Sequence, residues 1–488
     1  MKTGEAKQEE DGILAGITAA SLGSPVFRTT HGVRYAYVTG SMYKGIASTD
    51  LVIRVGRAGL LGYFGTGGLK LERIEEAIGR IKRELGPGRA FGMNLLCNLV
   101  KPEMEDATVD VFLRHGVTRV EASAYLQVTP SLVHFRLKGL REVNGRVTPL
   151  GRILAKISRP EIAAQFLAPP PEKIVHRLLE AGKITRQEAA LAPAIPVADE
   201  LCVEADSGGH TDNGVAFTML PVMLRMRDDA ARKHGYQTQV LVGAAGGIGT
   251  PHAAAAAFVL GADFILTGSV NQCTVEAGTS DLVKDMLAGM NIQDTAMAPA
   301  GDMFEIGAKV QVLSKGVFFP ARAAKLHELY RQYDSLEAID AKTRQQLETR
   351  YFKRSIEAVF QECKEYYSKT APEVLEQAEK SPKAKMVLVF RWYFVHTSRM
   401  AMRGEASERV DFQVHTGPAL GAFNQWVKGS AYEDWRNRHA DEIAEMLMTG
   451  AARILRERVA GMLGGQTAKA GGGGLEAWRD PLPSLAGS

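Results

Sequence analysis

Short apolar runs alternate with longer amphipathic stretches along the first 270 residues. The amphipathic stretches predict helices, as in 71–85, where Leu71, Ile74 and Ile78 share one helical face. The apolar runs predict eight buried strands, at 34–39, 59–65, 90–95, 117–122, 153–157, 201–205, 240–243 and 263–266. Eight alternations of strand and helix favour a (β/α)8 TIM barrel over an open doubly wound sheet. No GxGxxG follows the first strand, which also weakens a Rossmann interpretation.

The pattern changes after residue 269. Residues 326–367 are charged and helical, and an aromatic-rich segment follows within 386–402, for which core packing against the barrel is the simplest role. We expect a helical insertion subdomain after strand eight and a last amphipathic helix at 442–459 that closes the barrel wall. The predicted division is 1–30 lead-in, 31–321 barrel, 322–402 helical insertion, 403–460 segment returning to the barrel, and 461–488 disordered glycine-rich tail.

Glycine-rich turns follow the seventh and eighth predicted strands. In a barrel, functional groups lie at the carboxyl ends of the strands, and a phosphate site often lies after strands seven and eight. Free backbone N–H groups at two such turns would bind a dianionic phosphate, whereas the simpler alternative is that the glycines only make tight turns. We predict phosphate binding because two consecutive strands share the feature. The turn residues are Ala245, Gly246, Gly247, Thr267, Gly268 and Ser269.

Polar residues follow several other predicted strands. Lys156 lies inside the fifth strand, and a lysine pointing into a barrel needs an anion or a functional partner; an internal ion pair is the structural alternative. His210 directly follows Gly208 and Gly209 after strand six, which makes it a candidate proton donor or acceptor near neutral pH. The remaining polar candidates near strand ends are Gly40, Ser41, Asn94, Ser123 and Tyr125.

Composition narrows the class of protein. The 488 residues exceed a single barrel of about 250 residues, so an insertion or a second domain is expected. A net charge of +4 gives no case for nucleic-acid binding, and no run of 18 apolar residues suggests a membrane span. The N-terminus lacks the apolar segment of a signal peptide. We therefore expect a cytoplasmic protein with reduced, partly buried thiols at Cys97, Cys202, Cys273 and Cys363.

Taken together, the motifs resemble the nitronate monooxygenase superfamily of FMN-dependent barrels. More closely, the chain is similar to the PfaD-type trans-acting enoyl reductases of polyketide and polyunsaturated fatty acid synthesis. The resemblance covers roughly residues 12–460, and three segments are specific to it: SGGHTDN, FVLGADFILTGSVNQ and GPALGAFNQW. The motifs shared with the wider superfamily are Gly92-Met93-Asn94, Ala155-Lys156, Ser207-Gly208-Gly209-His210, Ala245-Gly246-Gly247-Ile248 and Gly261-Ala262-Asp263 through Gly268-Ser269.

The resemblance implies roles for the matching positions. Asn94, Lys156 and the two glycine turns would hold FMN, with the turns on its phosphate. His210 would lie near the flavin ring facing the substrate, and His210 and Lys156 would be the catalytic residues. The other residues expected to bind the cofactor are Gly40, Ser41, Ser123, Gly208 and Gly209. NADPH or NADH would reduce the flavin, which would then reduce an α,β-unsaturated thioester carried by an acyl carrier protein. No metal is implied, and a homodimer is left open. The insertion would recognise the carrier-bound substrate and cover the active site.

Two alternatives remain open from the sequence. One is a nitronate monooxygenase-like flavin oxidase, although Asp206-Ser207 lengthens the loop before the Gly-Gly-His motif and so departs from that pattern. The other, of a different class, is a carrier-protein docking component with a vestigial flavin site, against which the intact glycine turns and His210 argue.

Overall fold

A closed parallel barrel forms the first of two compact units in the computed structural model, which describes residues 11–98 and 101–463. Each strand pairs with its neighbours in chain order, and β1 pairs with β8, which closes the barrel. This confirms the predicted (β/α)8 fold. The barrel strands are β1 (Tyr37–Thr39), β2 (Leu61–Phe64), β3 (Gly92–Leu96), β4 (Arg119–Ser123), β5 (Arg152–Ile157), β6 (Glu200–Glu204), β7 (Leu241–Ala245) and β8 (Ile265–Thr267).

Helices alternate with these strands in the same unit, whose described residues are 11–98, 101–207, 212–278 and 422–463. Thr250 caps the helix after β7, as predicted, because its side chain accepts from the Ala253 N–H at 3.3 Å. The α-helices are Pro25–His31, Thr49–Arg57, Leu71–Leu85, Pro102–Arg114, Pro130–Leu137, Pro160–Leu167, Glu172–Glu180, Arg186–Leu191, Ala216–His234, Pro251–Val259, Ser269–Gln272 and Ala440–Met462. A β-hairpin, Arg141–Val143 with Arg146–Thr148, is inserted between β4 and β5.

The second unit comprises residues 208–211 and 279–421. Its three-stranded antiparallel sheet has the order Thr295–Pro299, Lys309–Leu313, Gly209–His210. The sequence did not predict this sheet, and the helical insertion follows the barrel as expected. The helices are Asp281–Ala288, Phe319–Gln332, Ala341–Gln346, Ile356–Thr370, Pro372–Lys380 and Pro382–Arg403, with a π-helix at Leu347–Phe352; helix Pro418–Trp426 includes the boundary between the units.

The aromatic-rich segment serves the core of the second unit. Phe390, Tyr393 and Phe394 are buried, and Phe394 makes edge-to-face contacts with Phe304 at 5.5 Å and Phe319 at 5.6 Å. The simplest interpretation, core packing, therefore applies within the insertion itself. The predicted domain boundaries at residues 322 and 402 stay a prediction.

The described residues also bear on the predictions about membranes, thiols and termini. Among them, no helix has the combined length and apolar character that crossing a bilayer requires. All four cysteines are free, and Cys202, Cys273 and Cys363 are buried. The predicted disordered tail lies outside the described residues from residue 464 onward.

Candidate active site

An ion cluster lies inside the barrel toward the carboxyl ends of its strands. The Lys156 ammonium is 3.2 Å from Glu204 Oε1 and 3.7 Å from Glu121 Oε1. The Glu121 side chain is fully buried, whereas the side chains of Lys156 and Glu204 are 16% and 20% exposed. Burial alone acts to lower the pKa of Lys156, but the charges of Glu204 and Glu121 outweigh it and raise the pKa. Lys156 is therefore a stable ammonium with access to the barrel mouth.

Hydrogen bonds connect the predicted polar residues to this cluster. Ser41 donates to the Glu121 carboxylate from its backbone N–H, at 2.9 Å, and from its hydroxyl, at 2.6 Å. The Asn94 amide donates to the Ser123 hydroxyl at 2.8 Å and to the Glu121 carbonyl at 3.0 Å. Three candidates, Ser41 after β1, Asn94 on β3 and Ser123 at the end of β4, are thus brought together around Glu121.

Glu121 was missed by the sequence analysis, and Glu204 was not singled out as a site residue. Glu121 lies in the middle of β4, and its register partner on β3 is Asn94. A signal was present: Glu121 is an acidic residue inside a predicted buried strand, next to the strand that carries Lys156. Since a buried charge requires a partner, the opposite charges of Glu121 and Lys156 could have indicated that these two residues lie close together.

The two glycine turns differ in how tightly they are packed. Gly246 has a φ of 85°, and a Cβ there would lie 2.7 Å from the Ala205 carbonyl, so only glycine fits. Gly247 has a φ of 71°, but a Cβ at Gly247 or Gly268 would meet no atom within 4 Å. Close packing explains Gly246, whereas the backbone at Gly247 and Gly268 faces open space.

Other turn residues are held by hydrogen bonds within the barrel. The Ala245 carbonyl accepts from the Ala205 N–H at 2.9 Å. The Gly40 N–H donates to the Thr267 carbonyl at 2.9 Å, and the Thr267 hydroxyl accepts from the Asn271 amide at 2.8 Å. These contacts join the end of β1 to that of β8 and fix the backbone that leads to Gly268 and Ser269.

His210 belongs to the second unit. Gly209 and His210 form a strand that pairs with Gln311 and Val310, and a Cβ at Gly208 would lie 2.7 Å from the Thr416 backbone. The His210 Nε2 lies 3.2 Å from Asp302 Oδ1. Burial acts to raise the pKa of Asp302, but the hydrogen bond and charge of His210, together with His415, lower it overall. An ionised Asp302 can orient the imidazole and stabilise its protonated form.

Tyr125, the other predicted polar candidate, is a buried residue. Its hydroxyl donates to Glu105 Oε1 at 2.8 Å, and its ring contacts Phe166 edge to face at 5.9 Å. Burial, followed by the charge of Glu105, raises the pKa of Tyr125 well above its usual value. The tyrosine is therefore a poor proton donor.

Comparison with known proteins identifies the family. The family model described as nitronate monooxygenase matches residues 26–315, and the model described as the inserted helical domain of [acyl-carrier-protein] S-malonyltransferase matches residues 333–412. The enoyl reductase domain of MlnA, from the macrolactin biosynthesis cluster of Bacillus amyloliquefaciens, has a similar structure. Its TM-score is 0.87 and its sequence identity 45%, over 91% of this chain and 99% of that domain.

Two curated proteins are similar to this chain over most of its length. The polyketide biosynthesis protein PksE of Bacillus subtilis (strain 168) is 56% identical over 93% of this chain. A component of the polyunsaturated fatty acid synthase of Thraustochytrium sp. (strain ATCC 26185 / S-3) is 44% identical over 88%. The chain spans only 59% and 29% of the lengths of these two proteins. These matches confirm the resemblance inferred from the motifs: the chain belongs to the nitronate monooxygenase family of oxidoreductases, in the group that contains the MlnA enoyl reductase domain.

Proposed function

We propose that the protein is an FMN-dependent enoyl reductase driven by NADPH or NADH. Its substrate would be the α,β-unsaturated thioester of a polyketide or fatty acid intermediate bound to an acyl carrier protein. The observation that supports the proposal is the pair of glycine turns at the ends of β7 and β8, where the backbone at Gly247 and Gly268 faces open space, because backbone N–H groups at such turns can receive a phosphate. The similarity to the MlnA enoyl reductase domain supports the reaction class. We also propose that the protein is located in the cytoplasm.

The barrel residues would bind and orient the flavin. Gly246, Gly247, Gly268 and Ser269 would receive the phosphate, while Asn94 and the Lys156 ammonium would hold the ring system. When bound, FMN would supply hydride transfer from the nicotinamide to the β-carbon of the substrate. Glu121 and Glu204 keep Lys156 charged and restrict its position. The lysine thereby offers a fixed positive charge at the barrel mouth.

His210 is the proposed proton donor. Hydride addition at the β-carbon leaves negative charge on the thioester enolate, and the α-carbon must then receive a proton. A protonated His210 would supply it, with the ionised Asp302 holding the imidazole in one orientation. This assignment rests on the Gly-Gly-His motif and on the His210–Asp302 pair.

The acyl carrier protein would be recognised by the second unit. Carrier proteins of this family's pathways are expected to be acidic, and Lys342 and Arg350 are exposed on this unit. Lys353, a third basic residue of this unit, already pairs with Glu408 at 2.6 Å. Reversing the charge of Lys342 and Arg350 should therefore lower kcat/KM for a carrier-tethered substrate only, and the effect should fade with salt. An equal loss on a short thioester mimic would point to misfolding instead.

The first experiment is to release and identify the bound flavin. We expect non-covalent FMN near one per chain, seen in the visible spectrum and by chromatography after heat denaturation. Gly268→Val should weaken FMN binding by about 10-fold or more, or about 1.4 kcal/mol, because its side chain occupies the space for the phosphate. Gly79→Val is the matched control, since Gly79 also has no atom near its Cβ position but lies on helix Leu71–Leu85. FAD, or no flavin after reconstitution, would disprove the proposal.

A second experiment separates enoyl reduction from nitronate oxidation, which remains an alternative because the nitronate monooxygenase model matches the barrel. The proposal expects NAD(P)H-dependent reduction of an enoyl thioester under anaerobic conditions. Oxygen consumption with a nitronate, without reduction of the thioester, would establish the alternative. A chain that binds the carrier protein but catalyses neither reaction would be a docking component.

A further inference from the structure

A second cluster of charged side chains lies away from the proposed flavin residues, on the helices that follow β3 and β4. Asp106 and Asp110 come from helix Pro102–Arg114, and His134 comes from helix Pro130–Leu137. One carboxylate oxygen of each aspartate and one ring nitrogen of the histidine all lie within 4.8 Å of one another. The four-residue spacing places both carboxylates on one helix face. Two neighbouring helices thus supply three groups of the kind that bind metal ions.

His134 provides an independent sign that this cluster can bind a ligand. The residue is only 5% exposed, and its Nδ1 is buried without a hydrogen-bond partner. The nearest carboxylate oxygen, Asp110 Oδ1, is 4.0 Å away, which is too far for a hydrogen bond. Buried polar atoms in folded proteins are almost always satisfied. An ion between the imidazole and the carboxylates would satisfy this nitrogen.

We propose that Asp106, Asp110 and His134 bind a divalent transition-metal ion, with Zn²⁺ as the best probe. One imidazole nitrogen and two carboxylate oxygens suit Zn²⁺, which would complete a tetrahedral site with a water molecule. Bonds of about 2.1 Å at a tetrahedral angle separate the ligand atoms by about 3.4 Å. The site must therefore contract by roughly half an ångström between Asp110 and His134. The Asp110 side chain is 57% exposed and is free to make this movement.

Lys183 would compete with the metal ion. Its ammonium lies 2.6 Å from Asp106 Oδ1 and its side chain is 30% exposed, so it can turn toward water when an ion binds. Removing the lysine should expose a free carboxylate to the ion and strengthen binding.

The test is isothermal titration calorimetry of the purified chain with ZnCl₂. The wild type should bind one Zn²⁺ that Mg²⁺ does not displace, because Mg²⁺ prefers an octahedral shell of oxygen ligands. Asp110→Asn should weaken this binding by about 10- to 100-fold, whereas Lys183→Met should tighten it by about 10-fold. His115→Ala is the matched control, since His115 pairs with Glu75 at 3.4 Å on the same part of the chain and should not alter binding.

The outcomes separate this site from adventitious binding. Equal Zn²⁺ affinity in the wild type and Asp110→Asn would overturn the proposal, and so would a loss of binding in His115→Ala alone. Absence of Zn²⁺ binding by the wild type would overturn it as well. Asp110 is exposed, so its substitution should leave the fold intact, and a thermal unfolding curve without metal checks this. A Zn²⁺-dependent rise in Tm that is present in the wild type and lost in Asp110→Asn would support it.

Discussion

The two ends of β6 each carry a glutamate, and the two residues lie in opposite surroundings. Glu200, at the amino end, accepts from His31 Nε2 at 2.9 Å, and both side chains are at most 2% exposed. Arg119 donates to the other ring nitrogen of His31 at 3.0 Å, which fixes the tautomer that donates to Glu200. Glu204, at the carboxyl end, is 20% exposed and pairs with Lys156. One end is a closed polar network and the other is open to solvent.

The difference between the two ends of β6 predicts that substitutions at one end affect protein stability and substitutions at the other affect ligand binding. A closed network can only hold the fold, because no outside molecule reaches it. The open cluster contains two carboxylates and one ammonium, and Lys156 still has surface through which a ligand could interact. Substitutions at the amino end should therefore change the free energy of unfolding, and substitutions at the carboxyl end should mainly change binding and turnover.

The largest expected effect is on catalysis. His210, six residues after Glu204, is the proposed proton donor. His210→Ala should therefore slow enoyl reduction by about 10²- to 10⁴-fold while FMN stays bound. The measurement is single-turnover reduction of an enoyl thioester, with flavin content determined in parallel. His176→Ala, a change at an exposed histidine, should keep full activity. Full turnover by His210→Ala would mean that the proton comes from elsewhere.

The next effect is on stability at the amino end. Glu200→Ala removes the anion that pairs with buried His31 and lies near half-buried Arg119, which should cost about 3–5 kcal/mol of the free energy of unfolding. FMN per folded chain should stay unchanged. Urea denaturation compared with Glu161→Ala, at an exposed glutamate, measures the difference. Loss of flavin from a stably folded Glu200→Ala protein would contradict the separation between the two ends.

A smaller stability effect is expected at the carboxyl end. Lys156→Met should cost only about 1–3 kcal/mol, because Glu121 keeps two hydrogen bonds from Ser41 and Glu204 remains accessible to water. FMN affinity should fall by about 10-fold if the ammonium contacts the flavin. Lys173→Met serves as an exposed control. Unchanged FMN affinity would mean that Lys156 serves only as the cation of an internal ion pair.

The smallest expected effect is the pH dependence of the stabilisation that Lys156 provides. Because the pKa of Lys156 is raised in the folded protein, its stabilising contribution is complete below the unfolded lysine pKa of about 10.4. That contribution is lost only as the pH rises through the higher folded pKa. The stability difference between the wild type and Lys156→Met should therefore stay constant from about pH 6 to about pH 9. A steady increase of that difference across this range would instead show that the folded pKa lies below the unfolded value.

Local patterns were sufficient to predict the barrel. Each strand is a short apolar run bounded by glycine or polar residues, and all eight occur near their predicted positions, with ends that differ by a few residues. The glycine turn after β7 could also be predicted from the sequence, because Gly246 and Gly247 adopt conformations that favour glycine. These features depend on residues close together in the chain.

Features that depend on distant parts of the chain were harder to predict. Gly209–His210 was expected in a loop after strand six but forms a strand with Lys309–Leu313, and such pairing depends on partners about a hundred residues apart. Glu121 was overlooked because the candidates were sought after β4 rather than within it. The orphaned nitrogen of His134 has no sequence signal, since only three-dimensional packing reveals a missing partner.

The four free cysteines have a practical consequence for labelling. Burial, followed by the charge of a neighbouring glutamate, raises the pKa of Cys97 and of Cys363 to about 12, and the same causes raise the pKa of Cys202 well above the usual thiol value. At pH 7 a thiol with such a pKa is ionised in only about one molecule in 10⁵, and the thiolate is the reactive form. Cys273 is fully buried. A cysteine introduced at exposed Lys342 should thus react with a maleimide dye ahead of the native thiols, which makes the natural chain a ready background for fluorescence measurements of carrier-protein docking.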